Sequence, residues 1–223
     1  MEMGTLKFFR ILVPGILIFL LIILFLQNDF HELSQFTRFF SDFQVMDTLY
    51  TVIFIFVGVL YYLLDIRNIL WKPYHERVQN NIKDKLISPF LGQLNKEQIA
   101  YLKQARRIMN IFYHFIDSDS SLTEKAKRVR FNGLIWTSTV DLTIISVLGA
   151  SGFWIRLILE TTQYNLVMAG SLSALALISF GLIQLSTKKH LSLSDDQLEM
   201  ICQKYKDELD RMINEVLQTQ STA

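Results

Sequence analysis

The sequence predicts an all-α protein, a four-span helical integral membrane protein with a helical cytoplasmic module. Three observations predict it. Apolar residues are bunched into four runs, at 6–26, 48–70, 134–155 and 164–186, each near the ~20 predominantly apolar residues needed to cross a hydrocarbon core of ~30 Å. Only 3 Pro and 9 Gly in 223 residues leave little room for a turn-rich β protein. Lys and Arg are distributed very unevenly between the loops, which sets an orientation.

The first run, with Lys7 and Arg10 ahead of its core, has the flanks of a signal peptide. Its core is too long for one, however, and Gln27-Asn28-Asp29-Phe30 offers no small-x-small cleavage site. It is read as a retained span, with Pro14 tolerated in its first turn. Between 28 and 47, Phe30, Leu33, Phe36, Phe40 and Phe43 recur at steps of three and four, which predicts an amphipathic helix at the outer interface. The second span is expected to continue to 70, to finish at Trp71 and to be ended by Pro73. These elements make residues 1–71 a transmembrane hairpin, and 134–186 form a second one.

Residues 72–133 are expected to be a basic helical module. A helix over 72–87 carries Val78, Ile82 and Leu86, and Ser88-Pro89-Phe90-Leu91-Gly92 breaks it. Asn95 caps the next helix, whose seam is Ile99, Leu102, Ala105, Met109, Phe112 and Ile116. After a turn at Asp117–Ser120, a capping box from Ser121 to Glu124 starts a basic helix that runs into span three. Residues 187–223 form an acidic tail. A second capping box, Ser194 with Gln197, precedes a seam of Leu198, Cys202, Tyr205, Leu209, Met212 and Val216. An acidic amphipathic helix and a basic module in one compartment are natural packing partners.

The segment 66–133 holds 13 Lys and Arg against 6 Asp and Glu, whereas the loop 28–47 has Arg38 alone. The positive-inside rule places both termini and the central module in the cytoplasm, with the chain in the cell's inner (plasma) membrane.

Chemistry has few candidate places. Asp141 lies inside span three, ~10 Å from its cytoplasmic end at 1.5 Å per residue, with Thr137 and Ser138 one turn earlier on its face. A carboxylate at that depth marks a polar cavity, an ion path or a partner charge. Arg130 is too distant on the same helix, so a partner cation has to come from another helix or a second subunit. Arg106 and Arg107, with Lys125, Lys127, Arg128 and Arg130, form the candidate surface for anionic lipid head groups or a ligand. Because the last four abut a span, lipid is expected there and nucleic acid is not. Gly170 and Ala174 in span four have the small-xxx-small spacing of a helix–helix contact.

Two short motifs resemble those of enzymes. Asp117-x-Asp119 resembles the metal-binding carboxylate pair of some nucleotide-sugar transferases, but the serine-rich turn around it favours capping roles. Gly149-Ala150-Ser151-Gly152 resembles the Gly-x-Ser-Gly of rhomboid proteases, a family whose six spans and later intramembrane histidine this chain does not offer. Small residues closing a helix end account for it. His31, His75, His114 and His190 are scattered and suggest no metal site, no cofactor motif is present, and the single Cys202 excludes an internal disulfide.

These features favour a non-catalytic homo-oligomer that couples the membrane to a cytoplasmic protein partner as a sensor, anchor or membrane-acting effector. Proteins of this build occur in bacterial defence or stress systems, an analogy of build alone. An ion-conducting pore using Asp141 and a membrane-embedded enzyme are the alternatives.

Overall fold

A computed structural model describes residues 3–27 and 43–221. Its helices are α1 (Met3–Gln27), α2 (Phe43–Leu63), α3 (Asn68–Ile87), α4 (Lys96–Lys103), α5 (Arg107–Ser118), α6 (Ser120–Leu159), α7 (Gln163–Lys204) and α8 (Lys206–Ser221). A 3₁₀ turn, Ser88–Phe90, follows α3. No strand occurs among the described residues. Three helices are long and apolar enough to cross a membrane: Gly4–Leu26, α6 and α7. Thr51–Leu63 and Asn68–Phe90 supply a fourth if counted as one broken span. The outer interfacial helix expected over 28–47 lies outside the described residues, except that 43–47 belong to α2.

The chain divides into two compact units. The first comprises Met1–Trp71 and Leu134–Leu185. In it α1 and α2 cross at a point where both backbones are bare. A Cβ on Gly15 would lie 1.9 Å from the Phe54 carbonyl oxygen, and one on Gly58 would lie 2.0 Å from that of Ile11. Only glycine permits this approach. Phe19 closes edge-on against Phe54 nearby, at 4.9 Å between centroids. Against α6, α1 places Leu21 over Gly149 and Phe25 over Gly152, and Phe25 stacks on Phe153 at 4.2 Å. The rhomboid-like tetrapeptide is therefore a packing surface, and the Ser151 hydroxyl returns to the Val147 carbonyl at 2.8 Å.

Two expectations for this unit are corrected. Pro14 is not in the first turn, because α1 starts at Met3 and carries it in mid-helix. The second span does not run straight to Trp71. It stops at Leu63, and Asp65 adopts a left-handed conformation (φ 52°) that aspartate tolerates better than most residues. Asn68 then restarts the helix, its side-chain amide donating to Asp65 Oδ2 at 2.6 Å, and Pro73 lies inside α3 rather than ending it.

The second unit comprises Lys72–Gly133 and Ser186–Ala223. Its core includes Leu86, Leu102, Ile108, Phe115, Leu122, Leu198, Ile201 and Leu209, all fully buried. The Asn95 capping box forms with Gln98 as its partner. The helix it starts is shorter than predicted, since Ala105 and Arg106 both turn left-handed (φ 49° and 60°) and separate α4 from α5. Ser121 is not the next cap. Asp119 takes that place, accepting the Leu122 amide at 2.8 Å, and Glu124 pairs with Lys127 instead. No cap forms at Ser194 either. Its hydroxyl bonds back to the His190 carbonyl, and α7 passes straight through to Lys204. The tail seam is also shifted in register: Leu198 and Leu209 are buried, but Ile201 and Ile213 accompany them in place of Cys202 and Met212. α8 starts just after Tyr205, across which the amide of Tyr205 still bonds the Ile201 carbonyl and that of Leu209 the Tyr205 carbonyl. Tyr205 packs its ring on Phe115, and Val216 is half-buried.

Candidate functional site

In the first unit the polar residues converge on Asp141. It sits on α6 with its side chain 1% exposed. Arg67, in the break between α2 and α3, forks onto it. Nε donates to Oδ1 at 2.8 Å and Nη2 to Oδ2 at 2.7 Å, while the Tyr61 hydroxyl donates to Oδ1 at 3.0 Å. This is the bidentate geometry that makes arginine the preferred partner of a buried carboxylate. The same Nη2 also donates to the Arg10 carbonyl oxygen at 2.8 Å. That oxygen is available because the residue four ahead is Pro14, which has no N–H to give it.

The sequence suggested Thr137 and Ser138 as the groups holding Asp141. The donors to its carboxylate are instead Arg67 and Tyr61. Helical hydroxyls are readily satisfied by carbonyls three or four residues back, and Thr137 donates to Leu134 in this way at 3.0 Å. Ser138 is half-buried. Further along α6, Thr143 reaches the Ser179 hydroxyl of α7 at 2.9 Å, a buried bond between two helices. Arg67 lies 74 residues from Asp141 in sequence, and no local pattern announces such a pair. The signal for its kind was present nonetheless, in the requirement for a cation from another helix.

Beside this cluster is a cavity of about 260 Å³, lined among others by Arg10, Tyr62, Asp65, Asn68 and Trp71. Arg10 Nε is buried there without a hydrogen-bond partner.

Gly170 and Ala174 are not buried in a helix–helix contact among the described residues. Both are exposed, and a Cβ on Gly170 would touch nothing within 4 Å. The buried small residues of α7 in this unit are Ala169, Ala176 and Ser179.

In the second unit the predicted cationic surface is divided. Arg107 stacks over the Tyr101 ring at 3.6 Å and donates to its carbonyl, so it serves the α4–α5 break, whereas Arg106 is exposed. Lys125 reaches the Asp196 carbonyl, and Lys127 and Arg128 are exposed. Arg130 is half-buried. Basic and acidic segments are joined by Lys85–Asp195 at 2.8 Å and Lys204–Asp119 at 3.1 Å. The Tyr205 hydroxyl also donates to Asp119. This hydroxyl, the Leu122 amide and Lys204 hold the Asp119 carboxyl well below the usual carboxylate range. Asp119 is thus a capping and bridging residue. Among the described residues no group of three or more His, Cys, Asp and Glu side chains is placed to hold a metal ion.

No protein-family model, no curated protein and no solved structure matches this chain.

Proposed function

We propose that this chain is a four-span protein of the cell's inner membrane, with both termini and the module at 72–133 in the cytoplasm. It acts without catalysis, coupling the membrane to a cytoplasmic protein partner as a homo-oligomer. The observation that carries this reading is the continuity of α6 and α7, of 40 and 42 residues. At 1.5 Å per residue each is ~60 Å long, about twice the hydrocarbon core. Each changes along its length from an apolar run to a charged one with no loop between them. A helix without an intervening loop transmits displacement along its axis, which a flexible tether cannot do.

The Asp141 site supports coupling over conduction, since both carboxylate oxygens are occupied and its side chain is 1% exposed. The exposed Gly170 and Ala174 are where a second copy is placed.

Two measurements test the reading. An alkaline phosphatase fused after Ala223 is expected to be inactive and a fluorescent-protein fusion active. External phosphatase activity overturns the topology. Purified protein in liposomes is expected to pass no ions, and a steady conductance overturns the coupling role in favour of a pore.

A further inference from the structure

Arg10 presents a problem that the described residues do not solve. Its guanidinium is in the third turn of an apolar helix, and its Nε is buried without a hydrogen-bond partner. Among the described residues no carboxylate pairs with it. The acid in the core of this unit, Asp141, is engaged by Arg67 and Tyr61. An uncompensated cation in such surroundings is strongly unfavourable unless an anion reaches it.

The cavity beside Arg10 gives an anion room. Asn68 and Trp71 line it, and Tyr62 and Asp65 stand exposed at its edge. The chain around that edge is apolar and open, with Leu63, Leu64 and Ile69 69%, 70% and 80% exposed. Such a surround suits a ligand that brings hydrocarbon with its charge. Asp65 sets a further limit. Its carboxylate is held by Asn68 at 2.6 Å and repels a multiply charged anion more than a singly charged one. A phosphodiester with one negative charge fits these constraints better than inorganic phosphate.

We propose that this cavity binds the phosphodiester head group of a membrane lipid, with the Arg10 guanidinium as its anion contact and the acyl chains lying on Leu63, Leu64 and Ile69. The proposal rests on the membrane reading above but is tested independently of topology and coupling.

The test is a calorimetric titration of the purified full chain in detergent with dihexanoyl phosphatidylglycerol, alongside sodium phosphate. Saturable binding of the lipid, with none of phosphate at equal concentration, is expected. Arg10→Gln is expected to weaken it roughly ten- to a hundredfold, the scale of a charged hydrogen-bonding contact. Arg10→Lys, which retains the charge but not the planar fork, is expected to lose affinity severalfold. Circular dichroism checks that both variants are folded. Absence of saturable lipid binding to the unmodified protein overturns the proposal without reference to any variant. So does unchanged affinity in both variants. Equal binding of phosphate and lipid reassigns the cavity to a soluble anion and overturns the lipid.

Discussion

Pro14 and Arg67 meet through one carbonyl oxygen, that of Arg10. The proline withholds the amide that would have bonded this oxygen within α1, and Arg67 supplies a donor at 2.8 Å while its fork holds Asp141. One guanidinium thereby ties a site on α1 and a site on α6 to the break after α2.

The pair should be costly to split and cheap to remove whole. Arg67→Ala leaves Asp141 buried and unpaired, which is expected to cost about 3–5 kcal/mol. Asp141→Asn should also lose stability, since its amide presents donors to the donors of Arg67 and Tyr61. Arg67→Met combined with Asp141→Leu is expected to recover most of the loss. A double-mutant cycle on melting temperature in detergent measures this, and additive losses would contradict the coupling.

Three glycine substitutions should rank by what they strike. Gly15→Ala drives a methyl into the Phe54 carbonyl and is expected to lose roughly 3 kcal/mol or to open the α1–α2 crossing. Gly149→Ala meets the movable methyls of Leu21 and Leu172 at 2.6 and 3.0 Å and should lose less. Gly170→Ala meets nothing and should be neutral to within about 0.5 kcal/mol in the isolated chain. Thermal melts of the three variants give the order directly.

Asp119 predicts an acid limb in the stability profile. Its folded-state pKa is depressed, so its contribution is complete above the unfolded value of about 3.9 and is lost as pH falls through the folded value. Asp119→Asn keeps a side-chain acceptor for the Leu122 amide but loses the charge facing Lys204. The variant should melt lower than the parent at pH 7, and the gap should narrow between pH 5 and pH 2. A constant gap over that range would mean that the carboxylate charge contributes nothing.

The tail's register is open to a simple comparison. Leu209→Ala removes a fully buried side chain and is expected to cost about 2–5 kcal/mol. Met212→Ala, at a half-buried position, should cost within roughly 1 kcal/mol. Equal losses would restore the seam read from the sequence.

What could be read in advance follows from what each feature depends on. The apolar runs are properties of composition, so the long helices were legible from hydropathy. The breaks were not. Asp65, Ala105 and Arg106 turn left-handed without a glycine to mark them, and tertiary packing makes that choice. Local capping signals were followed where nothing competed, as at Asn95. They failed at Ser121, where Asp119 offered a better acceptor, and at Ser194, where α7 had no reason to stop. Asp141 was visible as an isolated acid, but its partner was specified only as a cation from elsewhere. Gly15 and Gly58 carry no local signal because each stands alone among bulky neighbours. Their meaning arises only from being opposite each other.

The 74 residues between Arg67 and Asp141 are also an interval of time. At roughly 5–20 residues per second a ribosome makes the arginine about 4–15 s before its aspartate exists. For that interval the α1–α2 pair is held by what it already contains, the Gly15–Gly58 crossing and the bond from Arg67 to the carbonyl left by Pro14. The arrival of α6 then closes the site. The order of synthesis thus makes the glycine crossing an early step of assembly and the ion pair a late one.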